Sequence, residues 1–149
     1  MSNILLTTLA AVSISKAALS EPVKYREFNS GFANFQTSNR PQDRGSYPGF
    51  SYLTGIRTRN GPLYVDTQIG LAFPTILTAK TSIGLQYENL RASAGFRPWP
   101  LAIGVQVEYG DENLSMLYSY EHWELLDTPT SPESMPSYFM TIGIRWKRK

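Results

Sequence analysis

The sequence predicts an all-β chain that closes into one eight-stranded antiparallel up-and-down barrel, preceded by a short N-terminal helix. Three observations predict it. Apolar and polar residues alternate with a period of two in seven segments from residue 50 onward, and successive strand side chains point to opposite faces. No segment after the N-terminal stretch shows a helical period. The connections alternate between short and long, except at Pro98-Trp99, which is short where a long loop is expected, and one antiparallel meander fits them. A length of 149 residues fits one domain of this kind.

The N-terminal stretch stands apart. Residues 4–14, ILLTTLAAVSI, form an apolar run too short to cross a bilayer as a helix. Ala18-Leu19-Ser20 before Glu21 has the small-x-small form of a cleavage site. The opening MSN carries no Lys or Arg, which a secretory signal usually has, so a buried or amphipathic N-terminal helix is the alternative. The reading adopted is a signal peptide over 1–20 and a barrel domain over 21–149, hence an exported chain.

The strands follow in order. The first falls near 25–35, YREFNSGFANF, where alternation is poor. Segment 50–59 sets Phe50, Tyr52, Thr54 and Ile56 against Leu53, Gly55, Arg57 and Arg59. Segment 63–73 sets Leu63, Val65, Ile69 and Leu71 against Tyr64, Asp66, Gln68 and Gly70. Segments 82–88 and 90–97 set Ile83, Leu85, Tyr87, Leu90 and Phe96 against Gln86, Glu88, Arg91, Gly95 and Arg97. In 101–110, Leu101, Ile103, Val105, Val107 and Tyr109 oppose Gly104, Gln106 and Glu108. Segment 114–123 sets Met116, Tyr118, Tyr120 and His122 against Ser115, Ser119 and Glu121. The last, 138–146, sets Met140, Ile142, Ile144 and Trp146 against Thr141, Gly143 and Arg145. Asn60-Gly61, Glu88-Asn89 and 110–113 read as short turns. Segments 36–49, 72–81 and 123–136 read as long loops.

Alternation alone leaves open which face meets water. In a soluble, secreted barrel the apolar face lines the interior and holds a small apolar ligand. In a membrane barrel the apolar face meets lipid and the polar face fills the lumen. Several features favour the second arrangement. The polar face carries Arg57, Arg59, Arg91, Arg97 and Arg145 against Asp66, Glu88, Glu108 and Glu121, a near balance suited to enclosed ion pairing. Lysine is absent from these segments, Lys80 falling in a predicted loop, whereas a soluble surface uses Lys freely. Glycines on the polar face leave room for long side chains in a narrow lumen. Tyr87, Tyr109 and Trp146 mark one rim, and Phe50, Tyr52, Phe73, Phe96, Tyr120 and Tyr138 the other, as two membrane interfaces require. Leu101, Ile103, Val105, Val107, Ile142 and Ile144 are then lipid-facing. Arg57, Arg91, Arg97, Arg145, Asp66, Glu88, Glu108 and Glu121 form an interior ion-pair network that plugs the lumen.

With these features the chain resembles the small eight-stranded outer-membrane barrels of Gram-negative bacteria, over roughly residues 25–146. The closing YFMTIGIRW is similar to the C-terminal assembly signal of that class, departing from it in the added Lys147-Arg148-Lys149. The resemblance implies periplasmic termini and short turns, loops outside the cell, an outer-membrane location, and contact with membrane lipid and lipopolysaccharide. It leaves the role open among structural, surface-interaction and enzymatic members.

Candidate chemistry is sparse. A net charge of +2 with no basic stripe argues against nucleic acid, and a chain without cysteine has neither disulfides nor a thiol nucleophile. No spacing suggests a metal or a cofactor, and a monomer is expected. The lone histidine, His122, lies in YSYEHWE. Tyr120-Glu121-His122 is similar to the strand that carries the catalytic histidine of lipid A deacylases. There a serine stands two residues further on, whereas here that position is Glu124, so His122 lacks an evident nucleophile to activate. Ser131 and Ser134 would have to fold back to reach it. Arg40, Asp43, Arg44 and Tyr47 in the first long loop suit a surface partner or lipopolysaccharide phosphates. The reading favoured is an outer-membrane barrel with a structural or surface-interaction role, ahead of a deacylase-like esterase using His122.

Overall fold

The structure, a computed structural model, describes residues 20–36, 44–73, 76–99, 101–122 and 136–148. The proposed signal peptide lies outside them but for Ser20. Eight strands follow one another: β1 (Val23–Gln36), β2 (Arg44–Asn60), β3 (Leu63–Phe73), β4 (Ile76–Tyr87), β5 (Leu90–Trp99), β6 (Leu101–Gly110), β7 (Leu114–His122) and β8 (Pro136–Lys147). Each pairs antiparallel with its sequence neighbour, and β1 pairs with β8, so the sheet closes as an up-and-down barrel. Closure leaves no sheet edge open.

The turns that set the register are legible in local chemistry. Asn60 pairs with Leu63, so Gly61 and Pro62 are the central turn residues, displaced by one from the Asn60-Gly61 expectation. Gly61 has φ +60°, and proline cannot follow it into positive φ, which leaves a type II′ turn. Between β6 and β7, Asp111 accepts hydrogen bonds from the N–H groups of Asn113 and Leu114, both at 2.8 Å. Those two backbone donors hold the exposed Asp111 carboxyl below the usual carboxylate range.

The turn after β4 stores strain. Glu88 adopts φ +51°, a region costing about 1–2 kcal/mol for a residue with a Cβ. The sequence reading placed Glu88 in the interior network; instead it is an exposed turn residue, because β4 ends at Tyr87, which pairs with Leu90. Glu88→Gly is expected to stabilise the barrel by about 1 kcal/mol or less, since glycine regains unfolded-state entropy as it relieves the strain. A urea titration read by the folded band on unheated gels checks it, and a loss of stability would contradict the strain.

The two ends differ from expectation on the long-loop side. Residues 76–81 belong to β4, so the predicted loop 72–81 is replaced by a connection at 74–75. TAKTS looks like a loop because it is polar, yet Thr78, Lys80 and Ser82 simply continue the inward parity. β2 starts at Arg44, six residues before the expected segment, and runs for 17 residues. Ser46, Tyr47 and Pro48 are all exposed, so the alternation of burial lapses where the β1–β2 hairpin passes the barrel rim. Tyr52 consequently sits at mid-strand rather than at a rim. A bulge in β5 opposite β4 falls at Pro98, which has no N–H to give to the ladder.

Burial is inverted relative to a soluble barrel. Outward Ile103, Val105 and Ile142 are 51%, 55% and 62% exposed, while inward Arg91 and Glu108 are 1% and 2% exposed. Leu101 is half-buried, and Val107 and Ile144 are exposed on the outer wall. The same parity runs through β1, where Phe28 and Phe32 face out and Tyr25, Glu27 and Asn29 face in.

Candidate functional site

The lumen is built by alternate residues of all eight strands, and its charged groups divide into two clusters. Toward the short-turn end, Glu108 of β6 is the hub. Its carboxylate takes Arg91 at 2.7 Å, Arg57 at 2.6 Å, Arg145 at 2.6 Å and the Ser115 hydroxyl at 2.6 Å. Asp66 takes Arg57 at 3.1 Å and Arg145 at 3.0 Å, and accepts a hydrogen bond from the Tyr25 hydroxyl. Glu27 takes the Arg145 Nε at 2.8 Å, with Asn29 and Gln68 donating to its two oxygens. Three arginines thus face three carboxylates. The planar guanidinium holds five N–H donors in a fixed fork, against three on a freely rotating ammonium, so one arginine spans two acids along preset directions, which suits the arginine bias of the polar face.

Aromatic rings fill the remaining width. Arg145 stacks over the Tyr25 ring at 4.1 Å and Arg57 over the Tyr64 ring at 4.7 Å. Gly55 and Gly84 make this possible, because a Cβ at either would run into the ring of Tyr25 or Tyr64 respectively. Among the described residues a cavity of about 10 Å³ is bordered by Arg57, Arg91, Glu108, Ser115 and Arg145, room for about one water.

The second cluster lies further toward the long-loop end. Lys80 reaches Glu121 at 3.2 Å and Gln106 at 3.1 Å, and Arg97 pairs with Glu121 at 2.6 Å. Lys80 was expected in a loop; it is a buried lumen residue because β4 begins earlier than its polar sequence suggests. Glu27 and Tyr25 were also absent from the expected network, since the first strand was the least legible. Their signal was present in Phe28 and Phe32, which fix the parity of β1. Arg59, at the mouth, forms an exposed pair with Glu112 at 2.9 Å, linking the ends of β2 and the β6–β7 turn.

His122 lies on the outer face near the long-loop end of β7, opposite Ile103 and Tyr138. Tyr120 and Tyr138 stack beside it with ring centroids 6.1 Å apart. Ser119, the serine before it in sequence, faces the lumen, where its hydroxyl hydrogen-bonds with that of Thr141 at 2.6 Å. Glu124, Ser131, Ser134, Arg40 and Asp43 lie outside the described residues. Among the described residues no group of His, Asp and Glu is arranged to hold a metal ion.

The fold is shared with a surface protein. The chain is similar to the crystal structure of Neisserial surface protein A (NspA), with a TM-score of 0.50 and 15% identity over 87% of this chain and 100% of that chain. No family model and no curated protein matches the sequence. At this identity the likeness concerns the fold, an eight-stranded antiparallel barrel, and does not extend to the His122 region as a catalytic strand.

Proposed function

We propose that this chain is an outer-membrane protein whose barrel spans the bilayer as a monomer, with a structural or surface-interaction role. One observation carries the reading: an apolar wall on the outside of every strand around a lumen filled with paired charges. Soluble monomers rarely expose contiguous apolar patches beyond a few hundred Å², and here such residues ring the whole barrel. Strands of 9 to 17 residues meet the length a tilted crossing needs. The reverse arrangement, an apolar interior for an apolar ligand, has no counterpart in a lumen lined by Arg57, Arg91, Glu108 and Arg145.

The short turns and the barrel ends at Val23 and Lys147 then face the periplasm, and the opposite end of the barrel faces outward, where lipopolysaccharide is the neighbouring lipid. The projecting hairpin, with Tyr47 exposed, supports a surface-interaction role over a purely structural one. His122 serves in this reading as an interfacial residue beside the Tyr120–Tyr138 pair.

Fractionation of cells expressing the full chain, beside a version lacking residues 1–20, tests the reading. The full chain is expected in the outer-membrane fraction with heat-modifiable migration, and the truncated one is not. A chain that stays soluble and monomeric without detergent overturns it. In the same cells the lipid A mass is expected to be identical with and without His122→Ala. Acyl loss abolished by that substitution would replace the interfacial role by a catalytic one.

A further inference from the structure

We infer that the β1–β8 seam carries a binding site for the phosphate headgroup of an anionic phospholipid, at the rim where the short turns lie. The inference rests on the membrane-spanning reading above. Two neighbouring outward columns converge there. On β1 the outward residues run Phe32, Ser30, Phe28, Arg26, Lys24 toward that rim, and on β8 they run Ile142, Ile144, Trp146, with exposed Arg148 just past the strand's end. The β8 column passes from isoleucine through Trp146 to Arg148, and the β1 column from phenylalanine, interrupted by Ser30, to Arg26 and Lys24.

The columns are in register. Arg26 lies directly opposite Trp146, and the Arg148 N–H donates to the Lys24 carbonyl at 2.9 Å, which brings the backbones of the two basic ends side by side. Lys24, Arg26 and Arg148 are all exposed, and Lys147 beside them is exposed as well. The Trp146 ring leans across β1 to meet Tyr52 at 6.3 Å, so its place on the outer wall is fixed by packing. An indole on the lipid-facing wall settles at headgroup depth, and so sets the height of the cations beside it.

The charge is local to this seam. Glu27 turns inward to Arg145, and Glu21, the next acid along the chain, lies three residues beyond Lys24, about 10 Å further out at the usual strand rise. The other turns at this end expose Glu88, Asp111 and Glu112 instead. A uniform fringe of snorkelling cations would surround the rim; among the described residues the outward cations there sit at two adjacent strands, Arg59 of β2 being paired with Glu112, and such a cluster, flanked by acidic turns, selects a negative headgroup at one place. Basic side chains near a bilayer surface favour anionic lipid, and an incomplete contribution from this cluster still gives at least about a threefold local enrichment.

Trp146 is a built-in reporter. The full chain carrying Trp99→Phe and Trp123→Phe is reconstituted in phosphatidylcholine vesicles containing equal mole fractions of brominated phosphatidylglycerol or brominated phosphatidylcholine. The expected result is at least about threefold higher apparent association of the brominated phosphatidylglycerol, judged by quenching, lost in high salt. The same preference is expected to vanish in a Lys24→Gln, Arg26→Gln, Arg148→Gln variant that keeps its heat-modifiable fold. Equal quenching by the two lipids in low salt overturns the site, as does a preference that survives high salt or the triple substitution. Absence of quenching by either lipid would instead overturn the membrane-spanning reading beneath it.

Discussion

Replacing Glu108 with alanine is expected to destabilise the barrel by about 3–5 kcal/mol, enough to deplete the folded form. The magnitude follows from what the carboxylate leaves behind. Arg57, Arg91 and Arg145 all converge on it within 2.7 Å, each almost fully removed from solvent. Without Glu108, three cations face Glu27 and Asp66 alone, and a buried charge without its partner has no water to fall back on. Glu108→Gln keeps the shape and loses the charge, so it is expected to fall between alanine and the natural residue. The pair Arg59–Glu112 provides the contrast. Its side chains are 33% and 42% exposed, and Glu112→Ala is expected to cost less than about 1 kcal/mol because water screens such pairs. Urea titrations of the folded band in vesicles measure both. Arg91→Ala combined with Glu108→Ala is expected to cost clearly less than the two singles added together, since residues in one network couple by about 0.5–3 kcal/mol. A loss below about 1 kcal/mol for Glu108→Ala would mean that the lumen is hydrated rather than packed.

Most of this lumen is written in the sequence as parity. Once Ile103, Val105 and Val107 are read as one face, Gln106 and Glu108 have only the other, and the same logic places Arg57, Asp66, Arg91 and Arg145. Parity fails where a strand's outward residues are themselves polar. Lys24, Arg26 and Ser30 blurred β1 and hid Glu27 and Tyr25, while Thr81 and the inward Lys80 made the start of β4 look like a loop. It fails again at strand ends, where geometry rather than pattern decides. Glu88 keeps the inward parity, yet the hairpin closes at Tyr87–Leu90 and turns it out to solvent. The partners within the network were not legible at all. Which arginine meets which acid depends on stagger around the closed barrel, and Arg57 meets Glu108 from the far side of the lumen across a separation of 51 residues.

The reverse side of the same alternation gives the sharper test. Val105→Arg is expected to cost about 2–4 kcal/mol and to block assembly into the membrane. Val105 is 55% exposed, with Ala94 and Tyr120 as its lateral neighbours near the middle of the wall. On a soluble protein an arginine at so open a position would cost within about 0.5 kcal/mol, because water would receive the guanidinium. In hydrocarbon the only relief is to snorkel toward a rim, and that relief depends on depth. Tyr109→Arg, four residues along the same face beside the β6–β7 turn, is therefore expected to cost no more than about 1 kcal/mol. The difference between the two substitutions identifies the solvent, since both sites are open and both lie on β6. Heat-modifiable migration in vesicles reports each. Equal tolerance of arginine at Val105 and Tyr109 would mean that water bathes the outer wall, and the paired charges inside would then need a different explanation.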